Sequence, residues 1–316
     1  MQQSALLGSR VANRHAALLT VCLSLAILPA CAAHRSARSE IARMPERQSL
    51  DSYIAKVREA SAAARPSASV TTTIESSDPQ LSAALTALAV SNTADAHRRV
   101  ATEYRRVGVL DLAYKHLTDA IRLDSHDAAA YDGLARIWRD WGVPRLGLGD
   151  AYRAVALAPG SASAANTLGT LLEGVGETKS ARQWYERALA LNPKASYALV
   201  NICYSSIMLQ RHDAIDSCRR AVAQTPKSSL ARNNLALAYV ASGDFAHARA
   251  QFQYAGESSI AEYNIGIAYL STHKYREALD AFQTVLKLDP SSLAAAQRAS
   301  QARASALAEN NDRDRQ

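Results

Sequence analysis

The side chains best suited to chemistry in this chain are its four cysteines and eight histidines, and their spacing limits what they can do. Cys203 and Cys218 could close a disulfide, or each could fill a small apolar site as a free thiol. A Cα separation above about 7 Å would exclude the bond. Cys22 lies inside an apolar run near the start, and Cys31 stands at its end. No Cys-x-x-Cys and no His-Glu-x-x-His spacing occurs, so no metal site is expected. The glycine pairs in "GLGD" (147–150) and "GVGE" (174–177) extend to neither a dinucleotide nor a phosphate loop. Asp111 and Asp119 read as solvated helix faces. The expectation is no catalytic residue, no cofactor and no small-molecule substrate.

The elements that position these residues follow a period of about 34 residues from Ala94 to Pro290. Four units close on a proline after similar helical endings: "AVALAP" at Pro159, "ALALNP" at Pro193, "AVAQTP" at Pro226 and "VLKLDP" at Pro290. Proline lacks the N–H that a continuing helix needs, so each stops a helix at the same phase. The clearest copy has Leu168-Gly169 in a first helix, Gly176 in a turn, and Ala181, Tyr185 and Ala188 in a second helix before Pro193. Small residues let two antiparallel helices approach, and a large neighbour fills the gap. This set resembles the tetratricopeptide repeat, which implies an all-α, right-handed superhelical solenoid of about six helix pairs. The units are read at 94–127, 128–161, 162–195, 196–228, 229–258 and 259–292, and the second helix of the fifth should end early near Gly256.

A solenoid must cover its two ends. Asp78-Pro79 has the chemistry of a helix start, and Leu81, Ala84, Leu85 and Leu88 follow at helical spacing, predicting a cap over 79–91. A closing helix is predicted over 292–309, with Leu293, Ala296 and Ala304 on its inner stripe, and a disordered tail over 310–316.

The first 30 residues read as a signal peptide, with Arg10 and Arg14 ahead of the apolar run "AALLTVCLSLAILPA". Leu28-Pro29-Ala30-Cys31 resembles the lipobox of bacterial lipoproteins, which implies lipidation of Cys31 and, with Ala32 next, an outer-membrane lipoprotein facing the periplasm. Residues 31–77, rich in Ser, Ala, Thr and Arg, read as a flexible tether; Leu50, Ile54 and Val57 could line a short helix within it. Loss of residues 1–30 lowers the formal charge from +7 to +5, because that stretch holds two arginines and no acids. A balance this mild does not point to nucleic acid.

The repeat resemblance also implies where a partner binds: a concave groove lined by the first helix of each unit. Asn166, Asn201, Asn233, Asn234 and Asn264 fall there, with Tyr197, Tyr204 and Tyr263. Amides both donate and accept, so such a ladder can hold an extended peptide backbone. In the first two units Arg98, Arg99, Arg105, Arg136 and Arg139 would make a basic rim suited to an acidic segment. The complete Lys/Asn/Lys/Arg set of the chaperone-binding carboxylate clamp is absent. Cys203 and Cys218 fall in the two helices of the fourth unit, both facing its interior.

Signal, tether and repeat together are similar to the repeat lipoproteins of pilus and secretion assembly, including the TadD-like family and the pilotins of type IV pili. This implies a non-catalytic scaffold that binds a protein partner in the cell envelope. The alternatives are an adaptor of peptidoglycan or protease complexes, as in NlpI-like lipoproteins, and a subunit recruiting substrate to a separate enzyme.

Overall fold

In the computed structural model, residues 50–63 and 67–313 are described. The signal peptide, Cys31 and the tether up to residue 49 lie outside them. Among the described residues there are helices and no strands. Three helices lead in: α1 (Leu50–Ala63), α2 (Ala68–Ser77) and α3 (Pro79–Val90). Pairs follow as α4 (Ala94–Arg106) with α5 (Leu110–Leu123), α6 (Ala128–Asp140) with α7 (Pro144–Leu157), and α8 (Ala162–Gly174) with α9 (Thr178–Leu191). Next come α10 (Ser196–Met208) with α11 (Ala214–Gln224), α12 (Ser229–Ala241) with α13 (Phe245–Ala255), and α14 (Ser258–Ser271) with α15 (Tyr275–Leu288); α16 (Leu293–Arg313) closes the series.

The punctuation is local chemistry. Helices α7, α9, α11 and α15 end at Leu157, Leu191, Gln224 and Leu288, each two residues before its proline. First helices begin on side-chain caps: Thr93, Asp127, Ser161 and Ser228 each accept the N–H three residues on, satisfying one of the unpaired donors of a helix start. The turn inside a pair needs a residue with positive φ. Gly176 supplies it at +90°, whereas Gln210 (+51°) and His273 (+62°) hold it in the fourth and sixth pairs.

Packing within a pair joins a glycine to a large ring. A Cβ on Gly169 would lie 2.5 Å from the Tyr185 ring, and one on Gly266 would lie 2.8 Å from Phe282; both rings are fully buried. The chain forms two compact parts that divide after Asn201. In the part ending at Asn201, a continuous core runs from Leu81 through Val100, Tyr104, Leu117 and Leu134 to Trp138 and Trp141. In the part beginning at Ile202, Phe282 and Ala278 pack with Ile267, Ala299 and Ala302.

Two readings from composition are corrected. The described part of the supposed tether is helical, because α1 and α2 have partners. Val57 and Ile74 pack on the core, Arg58 lies 5.0 Å over the Tyr114 ring, and the Tyr104 hydroxyl donates to Glu75 Oε1 at 2.6 Å. The last helix runs to Arg313 instead of ending at 309, so 310–313 are not a disordered tail. Its inner stripe is Ala295, Ala299 and Ala302, while Leu293 is 78 % exposed. Three small residues allow α16 to close on α15, where the bulkier stripe would hold it away.

Candidate functional site

The face of interest is carried by the first helices of the pairs. In the part ending at Asn201, α4, α6, α8 and α10 present a polar row that is bonded from repeat to repeat. Arg98 Nε lies 2.8 Å from Oδ2 of Asp127, the residue that caps α6. Arg105 Nε donates to Asp140 Oδ2 at 2.6 Å. Arg136 donates to Ser163 Oγ at 2.6 Å and to Thr167 Oγ1 at 3.2 Å. Asn201 Nδ2 donates to Asn166 Oδ1 at 2.9 Å.

These contacts change the reading of the basic rim. Arg98 and Arg99 both reach Asp95, Arg136 pairs with Asp132 at 2.9 Å, and Arg139 shares Asp140 with Arg105. Five guanidinium groups thus face four carboxylates. The positive field expected to draw in an acidic segment is largely cancelled where it arises. Partly exposed pairs of this kind contribute about 0–1 kcal/mol each, so their main effect is to fix the register of neighbouring repeats. Arg99, with its side chain 70 % exposed, projects most freely into solvent.

The amide ladder is also only partly accessible. Asn166 and Asn201 are half-buried and bonded to each other, and Tyr197 beside them is 42 % exposed. In the part beginning at Ile202, Tyr204, Asn233, Tyr263 and Asn264 are half-buried. Asn234 is 5 % exposed and so is buried among its neighbours. The Asn233 Oδ1 atom is buried with no hydrogen-bond partner among the described residues. The Tyr263 ring meets Phe282 edge to face at 5.6 Å, so much of it belongs to the core. Nearby, Arg249 on α13 grips both oxygens of Glu262 on α14 at 2.6 Å.

Cys203 and Cys218 form a disulfide that joins α10 to α11, with Cα atoms 4.5 Å apart and both side chains fully buried. Three ionisable features escaped the sequence reading. Asp150 accepts the Trp138 indole N–H at 3.0 Å, and burial pushes its carboxyl up to about 6. Glu173 accepts the Tyr185 hydroxyl at 3.0 Å, and burial pushes it up to about 7. Asp119 is not a plain solvated acid, because it converges with His97 and His116 in a set whose ligand atoms lie within 4.8 Å of one another. No short motif signals that set, since His97 and His116 are 19 residues apart on different helices.

Models of the tetratricopeptide repeat match residues 161–192, 209–259 and 259–292. These segments are tetratricopeptide repeats. The repeats of the chain are similar in fold to those of the Pseudomonas aeruginosa pilF protein, at 18% identity over 67% of this chain and 96% of that one, with a TM-score of 0.54. PilW, a type IV pilus biogenesis factor, is similar at 19% identity over 66% of this chain and 97% of its own, with a TM-score of 0.57. A chain of the APC/C hetero-tetramer Cut9-Hcn1 is similar at 16% identity over 73% of this chain and 44% of that one, with a TM-score of 0.56. At these identities the likeness is one of tetratricopeptide-repeat fold. No curated protein matches the chain in sequence. No helix among the described residues is long and apolar enough to cross a membrane.

Proposed function

We propose that this protein is a non-catalytic scaffold, lipid-anchored through Cys31 in the bacterial outer membrane, which holds a protein partner against the first helices of its repeats and assists assembly of an envelope machine such as a pilus. The observation that carries the binding reading is the polar row from Arg98 to Asn201, half-exposed and nearly neutral in charge. A face that both donates and accepts, with Tyr197 offering apolar area beside it, suits a polar extended segment better than an acidic one. The buried disulfide supports export, since such bonds persist in oxidising compartments. The likeness to pilF and PilW favours a pilus over other envelope assemblies.

Photo-crosslinkers placed at position 197, on a first helix, and at position 122, on a second helix, separate the faces. A specific protein adduct is expected from 197, and Tyr197→Ala with Arg99→Ala should weaken capture about tenfold without loss of helix content. Adducts from 122 alone would place the contact on the other face. Cys31→Ser should move the protein from the membrane fraction to the soluble one, and retention in the membrane would refute the anchor.

A further inference from the structure

The first helix pair brings together two imidazoles and a carboxylate that take no part in the polar row. His97 on α4 and His116 on α5 face each other with their Nδ1 atoms 2.9 Å apart. His116 and Asp119 sit one turn apart on α5 and so share a side of it. All three offer ligand atoms within 4.8 Å of one another. His97 Nε2 is 2.8 Å from Asn92 Oδ1, an oxygen that can only accept. The proton of His97 is thereby held on Nε2, and its Nδ1 lone pair points at His116.

Two bare Nδ1 atoms cannot remain that close without a proton or a cation between them. One neutral ring can donate to the other, but that leaves the Asp119 carboxylate to Lys115 at 3.6 Å and Arg122 at 3.3 Å, whose own side chains are 65 % and 69 % exposed. Burial lowers the basicity of His97, and burial together with His97 holds His116 at about 4, so both rings are neutral donors at pH 7. His97 is 7 % exposed, and the Tyr104 ring stacks on His116 at 5.6 Å, which restricts water on that side.

We propose that His97, His116 and Asp119 form a binding site for a divalent transition metal, with Zn2+ as the fitting ion, that clips α4 to α5. Two nitrogens and one carboxylate are a zinc donor set, and three protein ligands leave the fourth tetrahedral position to water. Asn92 supplies the outer contact that orients a metal-bound histidine. Binding shifts the proton between the two rings from Nδ1 to Nε2 of His116, which keeps that ring a neutral ligand, and frees Lys115 and Arg122 to swing outward. The site is independent of partner binding on the polar row.

The test uses the full chain, stripped with chelator and titrated with Zn2+ by calorimetry and with Co2+ by visible absorption. One equivalent is expected, with a rise in thermal midpoint and the cobalt spectrum of a tetrahedral nitrogen and oxygen site. Asp119→Asn and His116→Gln should each lower affinity at least tenfold. Asn92→Ala, which removes the outer contact to His97, should lower it about ten- to hundredfold. Absence of binding in the wild type overturns the proposal. So does equal affinity in Asp119→Asn, where folding is not at risk, and so does a thiolate-to-cobalt band, which would put the ion on a cysteine.

Discussion

Tyr185→Ala is expected to lower the unfolding free energy by about 3–5 kcal/mol, the cost of emptying a fully buried aromatic site. The ring lies against Gly169, which has no side chain to expand into the void, and its hydroxyl donates to the half-buried Glu173. Tyr185→Phe separates the two contributions by keeping the ring and removing the donor. Glu173 then gives a pH signature. Its folded pKa of about 7 lies above the ordinary carboxylate value, so the protonated form is the one that the fold favours. The stabilisation is complete below pH 4.5 and is lost as pH rises through 7, with a total on the order of 3 kcal/mol. Urea denaturation followed by circular dichroism at pH 5 and pH 8 should show this decline, and Glu173→Gln should abolish it. Tyr185→Phe removes the one hydrogen bond that favours the carboxylate, so its loss of stability shifts to higher pH. A slope unchanged in Glu173→Gln would show that the carboxyl is ionised and solvated instead.

Glu173 also marks where sequence reading reached its limit. Gly169 and Tyr185 were legible as partners because repeat phase puts them opposite each other in one pair. The acid was not, because its burial depends on the packing of a turn. The same distinction runs through the molecule. Proline phase and N-cap residues act within a few positions, and they set the helix ends. The sequence reading counted the arginines without their acids: Asp95 and Asp132 lie on the same helices, while Asp127 and Asp140, which pair with Arg98 and Arg105, come from the next repeat, 29 and 35 residues away. An acid one repeat downstream of Arg98 and of Arg105, and one four residues before Arg99 and Arg136, was the available signal. Residues 50–77 look like a tether because Ser, Thr and Ala dominate them. Two apolar contacts, from Val57 and Ile74, with the Glu75 acceptor, are enough to dock the helices on a core already formed. Asn234 shows that a position on the first helix of a pair can still be buried.

The Cys203–Cys218 bond is expected to contribute about 3 kcal/mol, the stabilisation of a cross-link closing a loop of 15 residues. Reduction should remove that contribution and little more, because two buried thiols still fill the space between α10 and α11 as small hydrophobes. Cys203→Ala with Cys218→Ala should cost more than reduction, since it deletes both sulfurs from fully buried sites and leaves a void. The order oxidised, reduced, double alanine in urea midpoint is therefore the discriminating result. Equal midpoints for oxidised and reduced protein would mean that the helix pair is held by packing alone. A double serine variant should fall below double alanine if the site is apolar, because each hydroxyl then needs a partner that the pair does not offer. Both cysteines belong to the compact part that begins at Ile202. Because the bond joins α10 to α11, reduction should raise amide exchange first in those two helices, ahead of the glycine-and-ring pairs at Tyr185 and Phe282, which hold without any cross-link.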